Sequence, residues 1–315
     1  MTTDRHAFDS RYELNADAAD ALRTLGRQIS EASVVLAAGQ LWRAAWAEIS
    51  ALVIVLSIEG AWAQVVPVTV DVDYADPFTA VLRDSSSPLP VPVAVFAGLG
   101  IPVPLFTLDT GIGSIDAEAL TEVRALRSAN LRGELPSVGV EAGTSDVDSV
   151  DVRREFRIEL SNTLAQLALA DLSVLADSAD VDMDTELRAQ NIGLADVKRM
   201  LSVDLSQARL IATGAQPLTA EQAELLAPAL QRAPSELVNV GTALNSDLIA
   251  VLHDPYEFGV VRLLARRDNV PELVAARSLP TEIAARSNTQ HSDEEGQRFW
   301  REALAVLRER LTDGN

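Results

Sequence analysis

The chain has 315 residues, a formal net charge of −20, 48% apolar residues and no cysteine. That length exceeds what one hydrophobic core ordinarily serves, so two domains are expected, and the apolar content excludes wholesale disorder. The missing cysteine excludes disulfides and thiolate metal sites and makes a reducing cytoplasm the expected compartment.

The N-terminal stretch MTTDRHAFDSRYELNAD has no apolar run, so no secretory signal is expected. Up to Val181, 12 basic against 26 acidic residues leave −14; beyond it, 14 against 20 leave −6. Neither half is basic, although the second is less hostile to a polyanion. Lys198 is the one lysine; every other basic residue counted is arginine.

Residues 15–47 are predicted to be helical, with Leu22, Leu25, Ile29, Ala32 and Val35 spaced as one buried stripe. Trp42 and Trp46 follow four apart, then Trp62, and all three are expected as core aromatics. Ser50–Ile58 is apolar but too short to span a bilayer. From Val65 the period becomes two: Val68, Val70 and Val72 alternate with Thr69, Asp71 and Asp73, which predicts a strand with one polar face. Asp76-Pro77 marks a turn, and Phe78–Leu82 returns as a second strand. Asp71, Asp73 and Asp76 are expected on the solvated face and turn, with a cation site as the alternative.

Ser85–Leu108 carries no charge. Pro88, Pro90, Pro92, Pro102 and Pro104 argue against a spanning helix. A short buried helix at Val93–Leu99 between extended segments is expected instead, with no membrane role. Leu108-Asp109-Thr110-Gly111 then resembles the catalytic signature of aspartic proteases, in which two such aspartates share a proton and activate water. The chain holds one such motif, and the segment after it is helical, so Asp109 is expected in a turn. An enzyme built on Asp109 would need a second chain to supply the other aspartate. Ser114–Leu131 is predicted helical, and 133–151 reads as an acidic linker rich in Gly, Ser and Asp. Val152–Ala176 is predicted as an amphipathic helix with Phe156, Leu160, Leu164, Leu167 and Leu175 on its apolar face. It is expected to pack on the following unit or on its twin in a dimer.

The stretch from Asn191 to Val238 is the most informative. A short helix over Thr185–Gln190 ends near Asn191-Ile192-Gly193, and Leu194–Leu201 forms the next, with Val197 and Leu201 on one face. Ser202-Val203-Asp204 breaks it. Asp204 is placed to cap a helix from Leu205 to about Ala212, whose Ala208 and Ile211 face inward. Gly214 supplies a left-handed turn. Thr219 and Gln222 form a capping box for a helix with Ala223, Leu226, Ala227 and Leu230 inward, and Pro234 opens a turn tucking Leu237 beneath.

Over about residues 184–240, this arrangement resembles the Cro/C1-type (XRE, lambda-repressor-like) helix-turn-helix DNA-binding domain. The matching landmarks are Val197, Leu201, Val203, Ala208, Ile211, Gly214, Thr219, Ala227, Leu230, Pro234 and Leu237. The resemblance implies that Leu205–Ala212 enters the major groove while the preceding helix braces on phosphates, in a dimer reading a palindromic double-stranded operator. Its base-facing positions are Leu205, Ser206, Gln207, Arg209 and Leu210. Ser206, Gln207 and Arg209 are the candidate hydrogen-bonding contacts, Gln favouring adenine and Arg guanine; the leucines meet at most a thymine methyl. Lys198, Arg199 and Arg232 are the candidate phosphate contacts. Two features depart from the family pattern: Ser202 stands where glycine is frequent, and the outer face is poor in basic residues.

Beyond the unit, Ser246–Leu311 is predicted helical, with Trp300, Leu304, Val306 and Leu307 on the last helix. His253 and His291 are expected not to ligate metal. The predicted organisation is multidomain. An acidic α+β domain of unassigned role (1–132) and a linker (133–151) precede an all-α region, made of the helix-turn-helix domain (152–245) and a helical extension (246–315). The function expected is a homodimeric, sequence-specific transcriptional regulator that is not an enzyme and uses no cofactor, with 1–132 engaging a partner or ligand. The alternatives are a protein-interaction or antitoxin-like module using the helix-turn-helix as scaffold, and the Asp109 enzyme.

Overall fold

In the computed structural model, residues 35–83, 86–134, 150–176, 183–237, 243–284 and 296–313 are described. The expected helix over 15–34, most of the 133–151 linker, Val238 and His291 lie outside them. The chain divides into two compact units, Met1–Ala170 and Asp171–Asn315.

The first unit is built on an antiparallel sheet of β1 (Gln40–Trp46), β2 (Ile49–Glu59), β3 (Trp62–Thr69), β4 (Thr79–Leu82), β5 (Val93–Phe96), β6 (Ile101–Pro104) and β7 (Leu108–Ser114). The strand order is β4-β5-β3-β2-β1-β7, with β6 pairing the other stretch of β3's edge. Two helices belong to the unit, α1 (Ala117–Arg132) and α2 (Val150–Ala168).

The sheet is buried on both faces. Leu41, Ile54, Leu56, Val66 and Val68 pack with Ala119, Val123 and Leu126 of α1. Trp42, Ala44, Val53, Val55, Ala63 and Val65 face the other way and pack with Leu164 and Leu167 of α2. Successive strand residues therefore both need to be apolar, which is why Ser50–Ile58 reads as a continuous run with no alternation.

Four expectations are corrected here. Residues 40–46 form strand β1, not the end of a helix: Trp42, Ala44 and Trp46 share one sheet face at period two, which the four-residue tryptophan spacing also fits. Of the three tryptophans, Trp42 is buried, Trp46 half-buried against Phe106, and Trp62 exposed near the β2–β3 turn. Val93–Phe96 is strand β5 followed by a 3-10 turn, not a helix. Its Val93 and Val95 face the α1 side, and Ala94 and Phe96 face Phe156 of α2. Strand β3 ends at Thr69, and Asp71 caps a 3-10 turn, so the valine alternation outruns the strand.

Helix α2 packs on the sheet, so the division between units falls after it rather than at 133–151. Phe156 stacks on Tyr74 at 4.3 Å, and Arg157 pairs with Asp76 at 2.6 Å.

The second unit begins with α3 (Met183–Ala189), α4 (Leu194–Leu201), α5 (Leu205–Ala212), α6 (Ala220–Leu230) and α7 (Pro234–Leu237). It continues with α8 (Ser246–Leu252), α9 (Pro255–Asp268), α10 (Glu272–Ala284) and α11 (Gln297–Asp313). None of the described helices is long and apolar enough to cross a membrane.

Helices α9 and α11 are held by a buried charge. Arg308 lies 3.6 Å over the Tyr256 ring and donates to the Tyr256 carbonyl at 2.7 Å and to Glu257 Oε2 at 3.1 Å. Burial pushes the Glu257 carboxyl above its ordinary value, and Arg308 pulls against that shift without cancelling it. Arg308→Ala removes the opposing cation, so Glu257 rises further and the fold is most penalised where it must still be ionised. The expected loss is about 2–3 kcal/mol at neutral pH, somewhat below that of a fully buried pair. Because a raised carboxyl binds its proton more tightly folded than unfolded, the loss shrinks as pH falls into Glu257's range. Denaturant melts of both proteins from pH 7 to pH 5 check this.

Candidate functional site

The second unit's first core forms around two short helices that could not stand alone. Eight residues make too few hydrogen bonds to offset helix nucleation, so α4 and α5 depend on their shared interior. Val197 and Leu201 of α4 meet Ala208 and Ile211 of α5, and Leu218, Ala223, Leu226, Ala227, Leu230 and Leu237 close the cluster from α6 and its flanks. Met183 and Leu187 of α3 complete it.

The connections are chemically local. Asn191 ends α3 at φ 53°, and Gly193 N donates to Asp196 Oδ2 at 3.1 Å as α4 begins. Ser202 takes the left-handed conformation (φ 54°, ψ 34°) with its N–H on the Lys198 carbonyl, so serine adopts the angle that glycine usually supplies. Asp204 caps α5 by accepting from Gln207 N at 2.7 Å. Gly214 is left-handed at φ 68°. Thr219 and Gln222 close a reciprocal box: Gln222 N donates to Thr219 Oγ1 at 3.2 Å and Thr219 N to Gln222 Oε1 at 3.1 Å.

The outer face of α5 divides at its middle. In the first turn, Leu205 is 57% exposed and Ser206 exposed, with Gln207 half-buried. In the second turn Arg209 is exposed, 48% on its side chain, whereas Leu210 is not an open base-facing position. Leu210 is only 9% exposed, packed with Ala215 and with Val274 of α10, and Val270 lies alongside. Arg209 approaches Glu282 of α10 at 3.7 Å, and the same carboxylate faces Arg267 of α9 at 3.5 Å. Sequence spacing gives no sign of Val274 or Glu282, because both reach α5 from a distant helix.

The other cations are also matched by acids. Arg199 pairs with Asp196 at 2.5 Å, and Arg232 with Glu186 at 2.5 Å and Glu236 at 3.6 Å. Among the described residues, Lys198 is the one candidate cation without a carboxylate at ion-pair distance. The face is therefore close to neutral, with no positive stripe from Lys198 to Arg232.

The competing sites resolve differently. Asp109 lies within β7, not in a turn, and Arg43 of β1 grips its buried carboxylate, donating from Nε at 2.9 and 3.0 Å and from Nη2. Both oxygens of that carboxylate are thereby engaged by Arg43. Asp71 and Asp73 stand at a 3-10 turn, and Asp76 accepts from Phe78 N and Thr79 Oγ1 and pairs with Arg157. Burial lowers the His253 pKa, with Asp171 opposing. No group of three or more His, Cys, Asp or Glu among the described residues is arranged to hold a metal ion. An open cleft of about 340 Å³ beside α1 is lined by Arg83, Ser86, Asp116, Glu118 and Glu122. Asp116 is committed there as the α1 cap, accepting from Ala119 N at 2.7 Å.

No protein-family model matches the chain, and a search of curated proteins finds no significant relative.

The left-handed serine offers a direct test of the turn. Ser202→Gly removes the Cβ strain at that angle while adding chain entropy to the unfolded state, for a net gain of about 0.5–1 kcal/mol. A rise in the thermal midpoint checks it; a loss would mean that the Ser202 side chain itself holds the turn.

Proposed function

We propose that the 183–237 unit is a sequence-reading DNA-binding element of the Cro/C1 type, and that the chain acts as a homodimeric transcriptional regulator. The first unit then serves as its partner- or ligand-binding part. The observation that carries this reading is the α4–turn–α5 geometry. A left-handed Ser202 and a capping Asp204 set α5 against α4 around Ala208 and leave Leu205 and Ser206 exposed on its first turn. Two such units in a dimer suit half-sites about one helical turn apart.

The paired arginines do not weigh heavily against it. Arg199 is 77% exposed on its side chain and Arg232 41%, and exposed ion pairs are weak in water, so a phosphate exchanges for a carboxylate at small cost. Lys198 needs no such exchange. Binding by so few cations, on a chain of −20, is expected only at low salt and falls steeply as salt rises.

A second reading has its own observation. The near-neutral face with Leu205 exposed also suits a protein partner, with the helix-turn-helix as scaffold in an antitoxin-like module.

Selection from a randomised duplex pool, followed by mobility shifts across a salt series, separates the two. A selected sequence retained at low salt is the expected result. Arg209→Ala should relax specificity at one position, costing about 1–3 kcal/mol, whereas Lys198→Ala should weaken all sequences alike and lower the salt slope by about one. No retention of any duplex at low salt, together with a partner that co-purifies in the presence of nuclease, selects the protein-interaction reading.

A further inference from the structure

We propose that α10 is a latch on the reading helix: its docking over Leu210, with Glu282 reaching Arg209, and the binding of DNA by α5 are mutually exclusive. The inference rests on the DNA-binding reading above and adds its regulation.

Residues 205, 206, 209 and 210 form one face of α5, since 205 and 209, and 206 and 210, lie one turn apart. A helix seated in the major groove presents such a face as a whole. Here its first turn is exposed, while in its second turn Val274 of α10 covers Leu210, and Arg209, 48% exposed on its side chain, reaches towards Glu282.

Two features make this contact separable from the fold. The apolar patch of Leu210, Ala215, Val274 and Val270 is a cluster of its own, apart from the core in which Ala208 and Ile211 hold α5 to α4. Helix α5 therefore keeps its interior when the patch opens. The charge is prepared for release as well. Glu282 is buried at 8% exposure, where a lone carboxylate would be costly, but Arg267 also faces it at 3.5 Å. When Arg209 leaves, Glu282 retains a cation, and Arg209 becomes available to a phosphate or a guanine edge. DNA then draws α10 off α5 by binding only the open form.

The test uses the full chain with two substitutions. Glu282→Gln removes the charge that holds Arg209. Val274→Thr weakens the apolar contact without changing net charge, and so separates latch release from a general loss of negative charge. Binding to a labelled, sequence-randomised duplex of about two helical turns is read by fluorescence anisotropy at low salt. Amide exchange over residues 206–212 and thermal melts are measured in parallel.

Both variants, still folded, are expected to bind about five- to tenfold tighter than the parent and to exchange faster through α5. If the melts show Glu282→Gln to be unfolded, Val274→Thr alone decides. Equal affinity in the parent and the folded variants overturns the latch and leaves the DNA reading standing. Absence of binding by all of them at the lowest salt overturns the DNA reading, and the latch with it.

Discussion

The second unit depends on how closely α5 can lie against α4. Ala208 is fully buried in the core it shares with the equally buried Val197 of α4, where a larger side chain would have to displace its neighbours. Neither helix is long enough to persist without the other. The left-handed Ser202 sets their angle, and the Thr219–Gln222 box starts the helix that closes the cluster from the far side. Remove that contact and the outer face of α5 has no fixed shape to present to anything.

The first unit solves a different problem. Its sheet is covered by α1 on one face and α2 on the other, so its inner strands have no polar side. Its irregular edge is managed by prolines: β6 carries Pro102 and Pro104, which donate no backbone hydrogen, and it runs along only part of β3. The same prolines argued against a spanning helix and left a short one expected at Val93–Leu99. The protein instead carries both within β6, with Pro104 as its last residue, where they pair with β3.

What was readable in the amino-acid order follows from the range of the forces involved. Asp204, Gly214, Thr219 and Gln222 act on neighbours within a turn, and each occupies the role that its local pattern implies. The inward set from Val197 to Leu237 was also legible, because helical period and chain order together determine it. The strands at 40–46 and 93–96 were not. Trp42 and Trp46 stand four apart, a spacing common to a helix face and a strand face, and Val93–Phe96 is buried on both sides and so carries no period. Least legible was the environment of Leu210 and Arg209. Their partners Val274 and Glu282 sit on α10, five helices along the chain from α5, and no local rule connects them. The interior of the 183–237 unit could thus be read from sequence, but what covers α5 could not.

Lys198 gives this chain an unusual chemical address. It holds the sole side-chain ammonium of the sequence, and it lies exposed on α4, the helix packed against α5. Every lysine-directed event that reaches a side chain, whether acetylation, methylation, conjugation or an amine-reactive probe, is therefore confined to one position beside the candidate interface. Neutralising that amine would withdraw the face's one cation that has no carboxylate beside it among the described residues, and a label placed there would report on α4 alone.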